Sequence, residues 1–396
     1  KAMGAAGIGT VVYNAADSPA ANAGTEFPLK KVPTRDFGNT GEKVSILALG
    51  GNGTPLGLLM MNQAIKWGVT FWDAWDSNRA YGGGIGQKGI GKYFRKFPDD
   101  RKKVFLMAKT DDRDPPSLTA FLDKAMAEMN TETVDFFVLH SVSSVNSLHD
   151  DTRTWVRNAK VSGKIRYFGI SSHSNMESVM NGAVELGFVD GVMVTYNFRV
   201  MHKESMKKAV EECRRAGLAI VAMKTQAKPI WSLPIFGNDA ETELTDTFIE
   251  KGFTPAQANL KAVWSNPHIA SLTSMMPNMN HFSANVAAAL DKTELSRTEL
   301  ELLKSYANET RSSYCAGCTH ICESVIAGKV PIGDVMRCLM YANAYNDEGR
   351  ACAIFGEISE RTRRDMVNID YSPAEKRCPQ RIVIGDIIQK AAETFS

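Results

Sequence analysis

Short apolar runs alternate with longer amphipathic segments from about residue 43 onward. The runs are rich in β-branched and aromatic residues, which is typical of strands buried on both faces of a parallel sheet. There are eight such runs: VSILALG (44–50), VTFWDAW (69–75), KVFLMAK (103–109), VDFFVLH (134–140), IRYFGIS (165–171), GVMVTYN (191–197), LAIVAMK (218–224) and IASLTSMM (269–276). Their regular spacing predicts alternating strands and helices.

The segments between the runs have the periodicity of helices with one apolar face. In residues 117–130 that face carries Leu118, Phe121, Leu122, Ala125 and Met129. Eight strand–helix units match an α/β fold of the (β/α)8 TIM barrel type, which needs about 250 residues. A doubly wound open sheet is the alternative, but it usually has a G-x-G-x-x-G turn after its first strand. The glycine-rich residues 50–53 lack that motif, so the pattern favours the barrel.

Composition places the chain among ordinary globular proteins, with 44% hydrophobic and 23% charged residues. Lys and Arg total 46 against 44 for Asp and Glu. This balance gives no electrostatic case for binding nucleic acid. We find no run of about 18 apolar residues, so no membrane span is expected.

The first 24 residues have a composition of their own. A weakly apolar run, AMGAAGIGTVV (2–12), precedes a polar stretch that ends in Ala-Asn-Ala (21–23), which is typical of a secretory signal and its cleavage site. The low hydrophobicity and the leading Lys1 are similar to the tail of a twin-arginine signal, which predicts export to the periplasm. A flexible arm on a cytoplasmic protein is the alternative.

Ionisable and polar residues fall at the ends of four consecutive predicted strands, from the second to the fifth. In a (β/α)8 barrel the carboxyl ends of the strands meet at one face, which is where such barrels carry their chemistry. Four strand ends in a row with such groups therefore predict an active site. The residues are Asp73, Asp76, Lys109, His140, Ser171, Ser172 and His173.

At these residues the sequence resembles the aldo-keto reductases. The segment TRDFGNTGEKVSILALGGNG (34–53) is similar to the opening hairpin and first strand of that family. GVTFWDA, followed by YGGGIGQKGIGKYF, is similar to its second-strand block. KVFLMAKT, VDFFVLHS and GKIRYFGISSHSN are similar to the next three strand ends. The resemblance extends over roughly residues 30–290.

The resemblance implies a catalytic tetrad of Asp73, Tyr81, Lys109 and His140 that acts on a small carbonyl or alcohol substrate. Tyr81 would be the general acid and base. A neighbouring ammonium group favours the phenolate and lowers the pKa of a phenol from about 10. The carboxylate would hold the lysine, and the histidine would hydrogen-bond to the substrate carbonyl.

The tetrad carboxylate has two candidates. Counting back from Tyr81 by the family spacing gives Asp76, whereas counting forward from the strand start gives Asp73. The two are three residues apart, so in a regular strand they face opposite sides. Asp73 is preferred, because packing fixes the start of the strand and a loop accommodates extra residues more easily.

The cofactor residues are less well matched. Those that the resemblance assigns to NAD(P) are Ser171, Ser172, Tyr196 and Asn285. The sequence departs from the family at Met193, where a glutamine is usual, and at Met223, where a stacking tyrosine is usual. Residues 277–289 contain no Lys or Arg to pair with a 2′-phosphate. The nicotinamide site is therefore interpreted as eroded.

A cysteine motif lies in the helix-rich residues 291–396. Cys315, Cys318 and Cys322 have C-x2-C-x3-C spacing, and Cys378 precedes a proline. This pattern resembles ferredoxin-type ligation of a [4Fe–4S] cluster. Some aldo-keto reductases have a ferredoxin-like C-terminal domain of this kind, and CPQRIVIGDII (378–388) is similar to its ending. A zinc site and disulfides are the alternatives.

Together these features predict a signal-like segment (1–24), a reductase-like barrel (25–290) and a helical iron–sulfur extension (291–396). The leading hypothesis is an oxidoreductase that interconverts carbonyls and alcohols and is coupled to the cluster. The alternative is a non-catalytic barrel that serves as an electron-transfer or binding subunit. Either hypothesis allows for a redox protein partner.

Overall fold

The computed structural model of the chain describes residues 30–50, 57–74, 85–148, 150–230, 239–326 and 329–395. From Lys31 onward the chain forms one compact unit. The predicted signal segment, residues 1–24, lies outside the described residues, so export stays a prediction.

An antiparallel hairpin of β1 (Thr34–Asp36) and β2 (Lys43–Ser45) precedes the barrel. The apolar run 44–50 therefore belongs to two elements, because the chain leaves the hairpin after Ser45 and enters the first barrel strand at Leu47. The sequence pattern alone did not separate them, since both parts are buried.

The hairpin turn closes the amino end of the barrel. Phe37 is fully buried, and its ring centroid lies 4.8 Å from that of Phe105 and 5.0 Å from that of Phe136. Gly38 follows with a φ of 56°, and a Cβ there would lie 2.3 Å from the carbonyl oxygen of Gly217. Only glycine allows the turn this conformation and this close approach.

Eight parallel strands form a closed barrel in chain order, and the last pairs with the first. They are β3 (Leu47–Gly50), β4 (Phe71–Asp73), β5 (Phe105–Thr110), β6 (Val134–Leu139), β7 (Ile165–Ser172), β8 (Gly191–Thr195), β9 (Ala219–Met223) and β10 (Ser271–Met275). Each lies within one of the eight predicted runs or overlaps it. The prediction of a (β/α)8 barrel is confirmed.

Helices surround the barrel. They pack through apolar faces like the one predicted for residues 117–130. In the described residues they are α1 (Leu58–Trp67), α2 (Ile85–Lys96), α3 (Pro115–Met129), α4 (Asp150–Val161), α5 (Met176–Leu186), α6 (Glu204–Arg215), α7 (Asp239–Glu250), α8 (Pro255–Trp264) and α9 (Met279–Leu290). The Asp114 side chain caps α3 by accepting a hydrogen bond from the Ser117 amide. The apolar face predicted for this helix is buried.

The remaining residues form a helical extension. Its helices are α10 (Arg297–Glu309), α11 (Thr319–Cys322), α12 (Ile332–Tyr345), α13 (Glu348–Gly356), α14 (Glu360–Asp365), α15 (Ser372–Arg377) and α16 (Ile384–Phe395). Leu303 of α10 packs into the barrel core, whereas Val335, Leu339 and Ile388 belong to a second hydrophobic core. The extension thus begins as a layer on the barrel and continues with a core of its own.

Within the described parts of the chain, no helix has the length and apolar character needed to cross a membrane.

Candidate active site

The carboxyl ends of the barrel strands bring the predicted polar residues to one end of the barrel. Asp73 ends β4, Lys109 lies near the end of β5, and His140 directly follows β6. We call this end, made of the residues that end or directly follow β3 to β10, the mouth. The order of the parallel strands places these three residues side by side along it.

Lys109 and Asp73 form a buried ion pair. The Lys109 Nζ lies 2.8 Å from the Asp73 Oδ2, and each side chain is 6% exposed. Charges withdrawn this far from water need a partner, since an unpaired buried charge costs about 3–5 kcal/mol. The other carboxylate oxygen, Oδ1 of Asp73, is buried and has no hydrogen-bond partner among the described residues. Oδ1 of Asp73 can therefore accept a further hydrogen bond at the mouth.

His140 pairs with a residue that sequence reasoning missed. Its Nδ1 lies 2.8 Å from Oδ1 of Asp111, and both side chains are 14% exposed. Burial lowers the pKa of His140, while Asp111 acts in the opposite direction. Because a carboxylate only accepts hydrogen bonds, Nδ1 carries the proton, and in the neutral ring Nε2 is an acceptor. The signal for Asp111 was its position, directly after the strand that carries Lys109.

A second histidine completes this part of the mouth. The ring of His173 stands edge-on to that of His140, with centroids 5.6 Å apart. Burial, together with the nearby cations Arg337 and Lys224, lowers the pKa of His173 well below its usual value, so this imidazole is neutral. His173 was among the predicted strand-end residues but was not assigned to the site.

A polar pocket of about 720 Å³, its open side included, lies between this part of the mouth and the extension. It is lined chiefly by Asp111, Arg113, His140, His173, Asp334 and Arg337. Charges of both signs and several serine hydroxyls face it. Such a lining suits a ligand with many hydroxyl groups better than an apolar ligand.

Tyr81, the predicted acid and base, lies outside the described residues, as does the competing carboxylate Asp76. Of the two carboxylates, the structure brings Asp73 to Lys109. Three of the four positions of the predicted tetrad therefore lie within the described residues.

Comparison with known proteins identifies the family. The model of the "Aldo/keto reductase family" matches residues 57–311, which is more than half of the chain. The chain belongs to the aldo/keto reductase family. It is thus an oxidoreductase, as the resemblance implied.

Individual relatives of this aldo/keto reductase are distant. L-Galactose dehydrogenase from Arabidopsis thaliana is 22% identical over 304 residues, covering 69% of this chain and 91% of the plant protein. An aldo-keto reductase of Schizosaccharomyces pombe, named as an NADP(+) enzyme, is 24% identical over 175 residues, covering 41% of this chain and 49% of its own.

Solved structures show the same fold. A thermostable aldo-keto reductase in complex with the inhibitor epalrestat has a TM-score of 0.57 and 21% identity, covering 69% of this chain and 99% of its own. An aldo-keto reductase from Bacillus halodurans in its holo form has a TM-score of 0.58 and 18% identity, covering 69% and 96%.

Members of this family typically use NAD(P), but the residues assigned to that cofactor are engaged within the chain. The Ser171 hydroxyl accepts the Ser141 amide at 3.2 Å, and the Ser172 hydroxyl donates to the Ser174 carbonyl at 2.5 Å. Both serines are fully buried. Their hydroxyls therefore stabilise the loops that follow β6 and β7.

The remaining cofactor candidates are engaged in the same way. Tyr196 is 2% exposed, and its hydroxyl accepts the Asn266 amide at 2.8 Å. Asn285 donates to the Ser274 hydroxyl at 3.0 Å. In place of the usual glutamine, the Met193 Sδ lies 3.8 Å from the Lys109 Nζ. These side chains are thus engaged within the chain, and the erosion of the nicotinamide site stays a prediction.

The four cysteines of the motif line one cavity of about 370 Å³, its open side included. Cys315 and Cys318 lie before α11, Cys322 is its last residue, and Cys378 directly follows α15. All four are free thiols and half-buried. Among the described residues, no three His, Cys, Asp or Glu side chains are arranged to hold a metal ion.

Proposed function

We propose that this aldo/keto reductase interconverts a carbonyl and an alcohol on a small polar molecule, with Tyr81 as the general acid and base. The observation that carries the proposal is the buried ion pair of Lys109 and Asp73 at the mouth. An ammonium group held there favours the phenolate of an adjacent tyrosine and so lowers its pKa. The unpartnered Oδ1 of Asp73 leaves an acceptor for a further donor of the site.

His140 has a defined part in this proposal. In its neutral form the ring accepts a hydrogen bond at Nε2, because Nδ1 donates to Asp111. A substrate alcohol can donate that hydrogen bond, whereas a substrate carbonyl cannot. The protonated ring donates from both nitrogens and therefore suits the carbonyl. His140 thus binds the alcohol when neutral and the carbonyl when protonated.

The substrate class that we propose is a polyhydroxylated compound of sugar type. Charged groups of both signs and serine hydroxyls line the polar pocket, so that donors and acceptors are both available to a polyol. The plant relative is named for a sugar, L-galactose, which supports the same class. His140 lines this pocket and would hydrogen-bond there to the reacting carbonyl or alcohol of the substrate.

We further propose that Cys315, Cys318, Cys322 and Cys378 hold a [4Fe–4S] cluster, as the resemblance implied. A structural zinc ion, with four ligands at about 2.0–2.3 Å, is the alternative occupant of these four cysteines. The thiols line the wall of one cavity, which suits a larger body held at four corners. When bound, the cluster supplies one-electron transfer. Because the four cysteines are only half-buried, their position also supports the exchange of electrons with a redox protein partner.

Replacement of the tyrosine tests the barrel chemistry. Tyr81→Phe is expected to lower kcat for sugar aldehyde reduction by about 10²–10⁴-fold, the usual contribution of a general acid. NADPH and reduced methyl viologen serve as alternative electron donors, so the assay does not presuppose nicotinamide binding. Tyr93→Phe is the matched control, because this buried tyrosine donates to Asp100 away from the mouth. Equal rates for wild type and Tyr81→Phe would disprove the assignment.

Two further variants decide between the carboxylates. Asp73→Asn is expected to lower kcat as strongly as loss of Lys109, since it removes the partner of the buried ammonium group. Asp76→Asn is expected to leave kcat within a few-fold of wild type. The reverse result would transfer the role to Asp76.

A further inference from the structure

Helix α12 of the extension lies across the barrel mouth and presents one polar face to it. Asp334, Arg337, Tyr341 and Tyr345 are spaced by three, four and four residues, so they share one face of the helix. Asp334 and Arg337 line the polar pocket next to His140. Tyr341 lies one turn further along, at the end of β9. This helix face thus extends from the pocket, beside the ends of β6 and β7, to the end of β9.

Tyr341 is hydrogen-bonded to Lys224, the residue that directly follows β9. The Lys224 Nζ donates to the Tyr341 hydroxyl, and it also lies 4.3 Å from the centroid of the Tyr341 ring. Tyr341 is 6% exposed, whereas Lys224 is half-buried. The phenol therefore has a cationic partner at the same barrel end as Lys109.

The backbone at Lys224 is held in an unusual conformation. Its φ is 56°, in the left-handed region that non-glycine residues rarely adopt. The Asn197 side chain donates to the Lys224 carbonyl at 3.0 Å and maintains this turn. Such strained residues concentrate at functional sites, where surrounding contacts maintain them. Here the conformation accompanies the contact between the Lys224 ammonium and the phenol.

The charged groups around Tyr341 come from three elements. Lys224 faces it from the end of β9, and the Arg350 guanidinium on α13 lies 4.9 Å from its ring centroid. Arg337 and the neutral phenol Tyr345 face it from its own helix. The nearby acids are already paired, Asp334 with Arg337 at 3.0 Å and Asp347 with Arg350 at 3.1 Å. The cations Lys224, Arg350 and Arg337 therefore all favour the phenolate of Tyr341.

We propose that Tyr341, paired with Lys224, is a second acid–base group of this active site, supplied by the extension. The step is a proton transfer alone: the phenolate oxygen takes the proton of a substrate hydroxyl, which leaves an alkoxide, and the phenol returns that proton in the reverse direction. The inference rests on the proposed carbonyl–alcohol chemistry for its substrate. It makes the extension part of the active site as well as the place of the cysteines.

The electrostatics agree with the geometry. Burial raises the pKa of Tyr341, but Lys224, Arg350 and Arg337 outweigh that effect and lower it to about 8. Tyr345, one turn away, has its pKa raised by burial and by Tyr341. The two phenols of α12 therefore behave oppositely, which provides a matched pair for experiment.

The test is an ultraviolet titration of the full chain combined with a pH–rate profile. The absorbance titration uses the Tyr81→Phe background, so that the tyrosine activated by Lys109 does not contribute. Tyrosinate absorbance there is expected to rise by one residue near pH 8, and adding Tyr341→Phe is expected to abolish this step. Tyr341→Phe should also remove the ionisation near pH 8 from the profile of kcat and lower kcat at least tenfold at pH 8. Tyr345→Phe should change neither. Loss of the absorbance step with an unchanged rate profile would overturn the proposal, as would an unchanged titration.

A second variant applies if Tyr341→Phe does not fold. Lys224→Met removes the cation and should move the absorbance step upward by about one pH unit or more. A step that stays near pH 8 would overturn the proposal. The titration needs no turnover, so its outcome is separate from that of Tyr81→Phe. A barrel that proves inactive with every substrate would refute the proposed function and the role of Tyr341 in it, even where the titration succeeds.

Discussion

The barrel mouth and the cysteine cavity differ in how their ionisable side chains are stabilised. At the mouth Lys109 and His140 each have a carboxylate partner from the chain itself, in the Lys109–Asp73 and His140–Asp111 pairs. In the cavity the motif thiols lie near one another, and burial, with a smaller effect of the neighbouring thiols, raises the pKa of Cys315 to about 12. The ion pairs of the mouth need no bound ligand to stabilise their charges. Several neighbouring thiols, in contrast, are stable as thiolates only when they bind a cation. The described part of the mouth thus pairs its ionisable groups within the chain, whereas the cysteine cavity holds a cluster only in our proposal.

The largest expected effect concerns the mouth. Lys109→Met should lower kcat by about 10²–10⁴-fold, since it removes the cation that would activate Tyr81. It should also lower the free energy of unfolding by about 3–5 kcal/mol, because Asp73 is left buried without a partner. Steady-state kinetics and urea unfolding measure the two effects.

Lys261→Met is the matched control for that variant. Lys261 is also a buried lysine, and it donates to Asp291 at 3.1 Å from helix α8. Its loss is expected to lower stability while kcat stays within a few-fold of wild type. Similar kcat values for the two variants would mean that Lys109 acts only through stability.

The next prediction concerns the cavity. Cys378→Ser should lower the iron content from about four per chain to less than one after anaerobic purification, because it removes one of four cluster ligands. Iron, acid-labile sulfide and the visible spectrum before and after dithionite measure this. Cys352→Ser is the control, since that exposed cysteine lies outside the cavity. Wild-type protein without iron or sulfide would disprove the cluster and return the four thiols to zinc or disulfide chemistry.

The fold and part of the site could be predicted from the sequence. Strands buried on both faces need nearly continuous apolar runs, so the eight runs predicted the barrel. The rule that barrels carry their chemistry at the carboxyl ends of the strands predicted that Asp73, Lys109 and His140 lie near one another. Asp111 was missed because it begins a loop, where no periodicity marks the direction of a side chain. The same rule, extended by one residue past Thr110, would have found it.

Tyr341 was missed for a different reason. Its helix predicts only an amphipathic segment, and the contact with Lys224 joins residues that are 117 positions apart. Long-range packing of this kind leaves no local signal in one sequence. The cysteine spacing was visible because three of the four residues are neighbours in the chain, whereas the position of Cys378 beside them depends on the fold of the whole extension.

A smaller effect is expected at Asp111. Its carboxylate favours the protonated form of His140, so Asp111→Ala should lower the pKa of His140 further. Carbonyl reduction depends on the protonated ring in our proposal, so its rate should fall about tenfold above that pKa, and the limb of its pH profile should move to lower pH. Alcohol oxidation uses the neutral ring and should change little. Asp112→Ala, the neighbouring acid, is the control, and an equal loss in both directions would contradict the role of the imidazole.

The smallest expected effect is the contribution of His173, at the mouth, to the pH dependence of the free energy of unfolding. His173 is half-buried and neutral, and its pKa is lowered well below 6.5, whereas the unfolded chain takes up a proton there below about pH 6.5. Unfolding therefore binds a proton at His173, which contributes about 1.4 kcal/mol per pH unit to the fall in the free energy of unfolding as the pH drops below 6.5. His173→Gln should reduce that slope by one proton. His281→Gln, which replaces an exposed histidine on α9, tests whether any histidine would do the same. Urea unfolding at pH 5.5 and 7.5 distinguishes the two variants, and equal slopes for His173→Gln and wild type would mean that His173 carries a proton in the folded protein.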